Sequence, residues 1–274
     1  MKQIVHRLCC CLMLAGMASG AVPAQAASEF AAARPAVRVE YWQKREATIA
    51  ALLQDSHRLA ATKLLFLGDS ITDFWGLGDN PWQGNGRRFG LAIWNESFAG
   101  KPPENLALNF GISGDRTEHV LHRLLPRSAG GLGELDSPAL QPEFIVLLIG
   151  INNSWDAQAP VADSVYAGIK AVLDAAHARK PRSQVILQSL LPTNEAARNR
   201  DVVVPVNQRL ALLAASGPYA GYVHYLDLVP AFVDAEGRQI EKYFDDGLHP
   251  NETGYRVWRD QLLPFLGQVR AHVQ

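Results

Sequence analysis

Apolar residues gather along the chain in five short blocks, at 63–67, 106–110, 144–149, 184–188 and, more weakly, 222–226. Each block is rich in Leu, Ile, Val or Phe and none alternates strictly with polar residues, which is the pattern of parallel strands covered on both faces. Between and after the blocks the apolar spacing widens to the helical period, at 118–125, 161–178, 202–215 and 252–266. Ahead of the first block, Trp42, Ile49, Leu52, Leu53 and Leu59 stand at mostly helical intervals among charged residues, so an amphipathic helix is predicted over 39–58. Strand and helix alternate throughout, and the predicted fold class is a doubly wound parallel α/β sheet. The one irregular stretch is 76–100, which holds Gly76, Gly78, Gly84, Gly86, Gly90, Pro81, Trp82 and Trp94. A long glycine-rich loop with aromatics, just after the first strand, is expected to serve the function.

The amino terminus follows a different pattern. Basic Lys2, His6 and Arg7 precede an apolar run at 8–17, and small residues follow up to Ala24-Gln25-Ala26, the layout of a secretory signal peptide. The run is shorter than the ~20 residues a membrane span needs. Met17 stands where a lipoprotein signal carries its cysteine, so no stable membrane anchor is expected. The reading is a signal peptide at 1–26, a flexible Ala-rich leader at 27–38, and a single domain at 39–274, exported to the periplasm or secreted. Cys9, Cys10 and Cys11 all lie in the segment to be removed, which leaves the mature chain without a disulfide or a thiolate metal site. Of 274 residues, 248 remain after residue 26, enough for one α/β core. Loss of Lys2 and Arg7 leaves 24 basic against 27 acidic residues, and with no basic cluster a nucleic-acid partner is not expected.

In an open parallel sheet, ligands bind beyond the carboxyl ends of the strands. There the chain reads Gly68-Asp69-Ser70-Ile71-Thr72, Gly111-Ile112-Ser113-Gly114-Asp115-Arg116 and Gly150-Ile151-Asn152-Asn153, with Asp245-Asp246-Gly247-Leu248-His249-Pro250 just before the last helix. Singly, each fragment has an ordinary structural reading. A Gly-Asp-Ser turn commonly just links strand to helix, Asn152 suits a turn or cap, Gly114 suits a positive φ, and His249-Pro250 suits a helix start. Together they hold every part of an acyl-transfer site. A serine hydroxyl needs an imidazole to take its proton, and the imidazole needs a carboxylate to fix its tautomer. Ser70, His249 and Asp246 are the candidates, and the Asp-x-x-His spacing lets the carboxylate fold back onto the ring. The backbone N–H groups of Ser70 and Gly114 and the amide of Asn152 are donor types suited to an oxyanion. Asp245 competes with Asp246 for the histidine. Asp69 is expected to stabilise the turn, and Arg116 with Asp115 either shapes the pocket or forms a pair.

Gly68-Asp69-Ser70, Gly114, Gly150-x-Asn152 and Asp246-x-x-His249 match, in order, the four sequence blocks of the SGNH (GDSL-like) hydrolase superfamily, which the whole mature chain resembles. Residues 109–117 together with His119-Val120-Leu121 resemble the branch containing platelet-activating-factor acetylhydrolase catalytic subunits and related bacterial esterases. The resemblance implies a three-layer α/β/α flavodoxin-like fold with a five-stranded parallel sheet of order 2-1-3-4-5. It also implies hydrolysis of small acyl esters without metal or cofactor. By the same resemblance Ser70 is the nucleophile, Asp246 and His249 complete the triad, and Ser70, Gly114 and Asn152 form the oxyanion hole. The family spacing favours Asp246 over Asp245. One departure is Asn153, where the third block commonly carries Asp, although the acetylhydrolase branch also has Asn there. The α/β-hydrolase alternative fails, because Gly-x-Ser-x-Gly would need glycine where Thr72 stands.

Trp75, Trp82, Trp94 and Trp155 are candidates for stacking on a sugar ring or covering an acyl chain, or for packing the loop onto the domain. Arg116 is a further candidate pocket residue. The expected substrate is a short acyl ester, acetyl in the leading reading, on a carbohydrate. The alternatives are lysophospholipase or thioesterase chemistry and a non-catalytic glycan-binding module. A metal site built on Asp245, Asp246 and His249 lacks a further histidine, since His224 falls in the fifth strand block. The oligomeric state stays open: the related acetylhydrolase subunits pair, which allows a homodimer, and the sequence identifies no interface.

Overall fold

The computed structural model describes residues 30–38, 42–84, 86–155 and 158–273; the expected signal peptide and residues 27–29 of the leader lie outside the described residues. Five strands, β1 Leu64–Gly68, β2 Ala107–Gly111, β3 Phe144–Leu148, β4 Gln184–Gln188 and β5 Val223–Leu226, pair in parallel in the order β2-β1-β3-β4-β5. Every residue of β1, β2 and β3 is buried, which is why their apolar runs do not alternate.

Helices α1 Gln43–Leu52 and α2 Ser56–Ala61 precede the sheet, and α3 Ser70–Asp73 and α4 Leu91–Ser97 lie between β1 and β2. Then come α5 Thr117–Leu124 after β2, α6 Val161–Arg179 after β3, and α7 Ala196–Arg198 with α8 Val204–Ala214 after β4. The chain closes with α9 Val229–Phe232 and α10 Glu252–Val273. α6 packs between α5 and α8, and α10 against α4 and α9, so that helices cover both sides of the sheet. Beneath α10 an aromatic cluster joins Phe66, Trp75, Trp94, Phe98, Tyr255 and Trp258. Side chains of this size each contribute about 1.5–3 kcal/mol when buried. Among the described residues, no helix is long and apolar enough to cross a membrane.

The predicted fold class and strand order are those observed, with β1, β2 and β5 starting one residue later than their apolar blocks. Three expectations need correction. The single helix at 39–58 is two, because the Asp55 carboxylate accepts from Arg58 N–H and starts α2 afresh, while 39–41 lie outside the described residues. The stretch 76–100 is not all loop, since it contains α4, whose Ile93 is fully buried. Residues 30–38 are not a free leader. Ala32 is buried, its carbonyl accepts from Thr117 Oγ1 at 2.7 Å, and Ala36 N–H donates to Glu118 O at 2.9 Å.

Candidate active site

The strand order reverses around β1, so the ends of β1, β2 and β3 open onto one crevice, the topological switch point of such sheets. Ser70 is the first residue of α3, directly after β1, and Asp69 caps that helix by accepting from Ile71 N–H at 3.0 Å. α3 lies so close to the end of β2 that a Cβ on Gly111 would sit 2.3 Å from Asp73 N, which accounts for the glycine. From the far side, Tyr255 Oη donates to Ile71 O at 2.7 Å and fixes α10 to α3. The loop that carries the histidine leads into α10, so one hydrogen bond sets the two parts of the site relative to each other.

That loop is folded by its own carboxylates. Phe244 and Pro250 form an antiparallel bridge, and Asp246 Oδ1 accepts from Leu248 N–H at 3.0 Å and His249 N–H at 2.8 Å. Asp246 Oδ2 lies 2.7 Å from His249 Nδ1, and His249 Nε2 lies 2.8 Å from Ser70 Oγ. A ring that donates Nδ1–H to the carboxylate leaves Nε2 free to accept the serine proton. Phe74 lies against the imidazole, ring centroids 4.9 Å apart, and limits its rotation. Asp245 is turned away from the histidine. It accepts from Asn80 Nδ2 at 2.7 Å, while its carbonyl accepts from Gln83 and Arg87, tying the glycine-rich loop to the histidine loop.

The two acids beside Ser70 and His249 are shifted in opposite directions. Burial pushes Asp246 up, but hydrogen bonds from the His249 ring and from the His249 and Leu248 backbone hold its carboxyl at about 2. Asp69 is fully buried, and burial raises it from 3.8 to about 7, with its Oδ2 bonded to no described residue. A carboxyl raised by folding contributes stability at acid pH that is lost as pH climbs from the unfolded value through the folded one. For Asp69 that window runs from about pH 4 to pH 7 and spans on the order of 4 kcal/mol. Asp69→Asn keeps the helix cap and removes the titration. The fall in melting temperature between pH 5 and pH 8 is therefore expected to be smaller in this variant than in the parent, and equal falls in both would refute it.

Gly114, after β2, adopts φ +79°, a left-handed conformation that favours glycine. Asn152, after β3, donates through Nδ2 to Asp115 O at 2.8 Å. Asp115 does not depend on its neighbour Arg116. Its Oδ1 accepts from Arg38 at 2.9 Å and its Oδ2 from Arg123 at 2.7 Å, while Arg116 comes within 4.0 Å of Glu118. Arg123 is itself buried and bonded to both oxygens of Glu134 and to Phe110 O. Burial opposes its charge, but Glu134 and Asp115 outweigh burial and raise its pKa. Asn153 accepts from Thr117 N–H at 3.0 Å and donates to Glu118 Oε2 at 2.7 Å. An aspartate there would face that carboxylate with no proton to give, a physical reason for Asn in this chain.

Phe74, Trp82, Phe89, Asn80, Gln83, Ser113, Asp246 and His249 line an opening of about 240 Å³. Two larger grooves, of about 630 and 620 Å³, include none of Ser70, Asp246 and His249. Of the four tryptophans, Trp82 stands at this opening and is 64% exposed. Trp155 is exposed and stacks on the Arg198 guanidinium at 3.9 Å. Trp75 has to be withdrawn as a substrate contact, because it is 0% exposed and enclosed by Phe98, Tyr255 and Trp258. Trp94 is partly buried and packs against the core at Phe66 and Phe98. Sequence reasoning missed Arg38, Arg123 and Glu134. The available signal for Arg123 was an arginine on the α5 face that also carries Val120, Leu121 and Leu124.

The GDSL-like lipase/acylhydrolase family profile matches residues 66–257. Platelet-activating factor acetylhydrolase IB subunit alpha1 of Homo sapiens is 34% identical over 181 residues, which cover 64% of this chain and 70% of that one. The alpha2 subunit of Rattus norvegicus is 36% identical over 164 residues, 60% of this chain and 63% of that one. A solved GDSL-like lipase from Bacteroides thetaiotaomicron shares the fold, with a TM-score of 0.57 at 21% identity over 83% of this chain and 98% of its own.

Proposed function

Since the chain belongs to the GDSL-like lipase/acylhydrolase family of ester hydrolases, we propose that Ser70, His249 and Asp246 carry out ester hydrolysis through an acyl-enzyme. The observation that carries this reading is the continuous relay from Ser70 Oγ to His249 Nε2 at 2.8 Å and from His249 Nδ1 to Asp246 Oδ2 at 2.7 Å. Ser70 Oγ bonds to the ester carbonyl carbon as its proton passes to Nε2, and the carbonyl electron pair moves onto oxygen. The Ser70 and Gly114 N–H groups and Asn152 Nδ2 are the donors assigned to that oxyanion. Collapse breaks the bond to the alcohol, which leaves with the proton from His249. Water then attacks the acyl-serine and gives a proton to the same imidazole; collapse breaks the bond to Ser70 Oγ, which takes that proton back from His249, and the carboxylic acid leaves. The base must start neutral, so turnover is expected to fall in acid.

The natural substrate is proposed to be a short acyl ester, with acetyl as the acyl group, on a carbohydrate. The opening beside His249, about 240 Å³, is small beside the two other grooves, which suits a compact group, and Trp82 presents an exposed indole face at its mouth. The two relatives above are named as acetylhydrolases, which favours acetyl. Export after cleavage near residue 26 is part of the same proposal. A series of p-nitrophenyl esters from acetate to decanoate, followed by acetate release from acetylated glycans and assays on lysophospholipids, tests it. The proposal expects kcat/KM to fall as the acyl chain lengthens. A preference for decanoate together with lysophospholipid cleavage would replace it with the lysophospholipase reading.

A further inference from the structure

We propose that Arg38, from the segment ahead of α1, is a positioning residue that aims both remaining oxyanion donors, Gly114 N–H and Asn152 Nδ2; this rests on the catalytic reading above. Arg38 Nη1 donates to Ser113 O at 2.6 Å and to Asp115 Oδ1 at 2.9 Å. The Ser113 carbonyl and the Gly114 N–H belong to one planar trans peptide, so a bond that fixes the oxygen fixes the direction of the hydrogen on the opposite edge. A cation bonded to that carbonyl also polarises the peptide and strengthens its N–H as a donor. The contact is close: a Cβ on Gly114 would lie 2.5 Å from Arg38 Nη2.

The same guanidinium reaches the second donor through Asp115, whose carboxylate it holds and whose carbonyl accepts from Asn152 Nδ2 at 2.8 Å. Asp115 is buried and keeps one partner without Arg38, because Arg123 donates to its other oxygen at 2.7 Å, but Arg123 also pairs with Glu134, so Arg38 supplies the second positive charge facing these two carboxylates. Losing Arg38 therefore leaves Asp115 hydrogen-bonded to Arg123 but this cluster one positive charge short, so a lower melting temperature is expected beside the kinetic effect. Lost with it is the bond that orients the Ser113–Gly114 peptide. Asp73 Oδ2 holds Ser113 N–H at 3.1 Å on the preceding peptide, so the turn stays attached while the hydrogen at Gly114 gains freedom.

The test compares Arg38→Ala, Arg38→Lys, Asn152→Ala and Ser70→Ala in the otherwise intact chain. It reads kcat and KM for p-nitrophenyl acetate, melting temperature, and Ki for an alkyl trifluoromethyl ketone whose serine adduct carries an oxyanion. Asn152→Ala sets the scale for a lost donor, roughly 10²- to 10³-fold in kcat. Arg38→Ala is expected to lower kcat roughly 10- to 100-fold with KM within about twofold, less than loss of a donor itself. Its ketone Ki is expected to rise in parallel, with partial recovery in Arg38→Lys, which keeps the charge without the fork. Should Arg38→Ala melt too low to assay, Arg38→Lys is read in its place, with a smaller loss of the same kind expected. Parental kcat and ketone affinity in the Arg38 variants, beside an inactive Ser70→Ala, would overturn this inference and leave the catalytic reading intact. A fully active Ser70→Ala would instead overturn the catalytic reading on which it rests.

Discussion

Ser70→Ala is expected to lower kcat for p-nitrophenyl acetate by roughly 10⁴- to 10⁶-fold, the scale of losing the nucleophile from a serine triad. Ser70 is buried at the start of α3, and alanine removes only the hydroxyl whose oxygen lies 2.8 Å from His249 Nε2. The helix cap from Asp69 to Ile71 N–H is untouched, so the variant is expected to melt close to the parent. A collapse in rate without a collapse in melting temperature is the signature of lost chemistry rather than lost fold. Turnover within tenfold of the parent in a folded variant would remove Ser70 from the mechanism.

The second large effect is expected from Asp246→Asn, about 10⁴-fold in kcat by analogy with the same exchange in a serine protease triad. Asp246 has two separable duties. Its Oδ1 shapes the loop by accepting from Leu248 and His249 N–H, which an amide oxygen can also do. Its Oδ2 accepts from His249 Nδ1, and an amide NH₂ there can only donate. The imidazole then carries its proton on Nε2, facing Ser70, where it cannot act as a base. The carboxyl is held at about 2 in the parent, so it stays ionised from mildly acidic pH upward, where the asparagine carries no charge. A variant that keeps its melting temperature and more than a tenth of the parental kcat would mean that the tautomer is fixed elsewhere.

The sheet was legible because strands buried on both faces leave unbroken apolar runs, and the order of those runs with their intervening helices constrains topology. The candidate site was legible for a related reason: short motifs follow strand ends, and the sheet brings those ends to one crevice. Side-chain environment was harder to read. Trp75 and Trp82 are seven positions apart in a glycine-rich stretch, yet one is sealed in the core and the other stands at the opening, a difference decided by α10 covering Trp75. Asp115 and Arg116 look like a pair in sequence, but Asp115 instead meets Arg38 and Arg123. Arg38 stands in Ala-rich sequence with Pro35 that carries no period and so reads as leader, while its partners lie 75 and 77 residues away. Contacts of that kind exist only once the chain has folded.

Ser70 as the attacking atom is tested most directly by covalent capture. The purified chain is treated with a p-nitrophenyl phosphonate, and phosphonyl incorporation, residual activity and the labelled peptide are followed by mass spectrometry. One phosphonyl group per chain, bound within the peptide that contains Ser70 and matching the loss of activity in proportion, is the predicted result. Complete inactivation with the label on another residue, or full modification of Ser70 with activity retained, would contradict it.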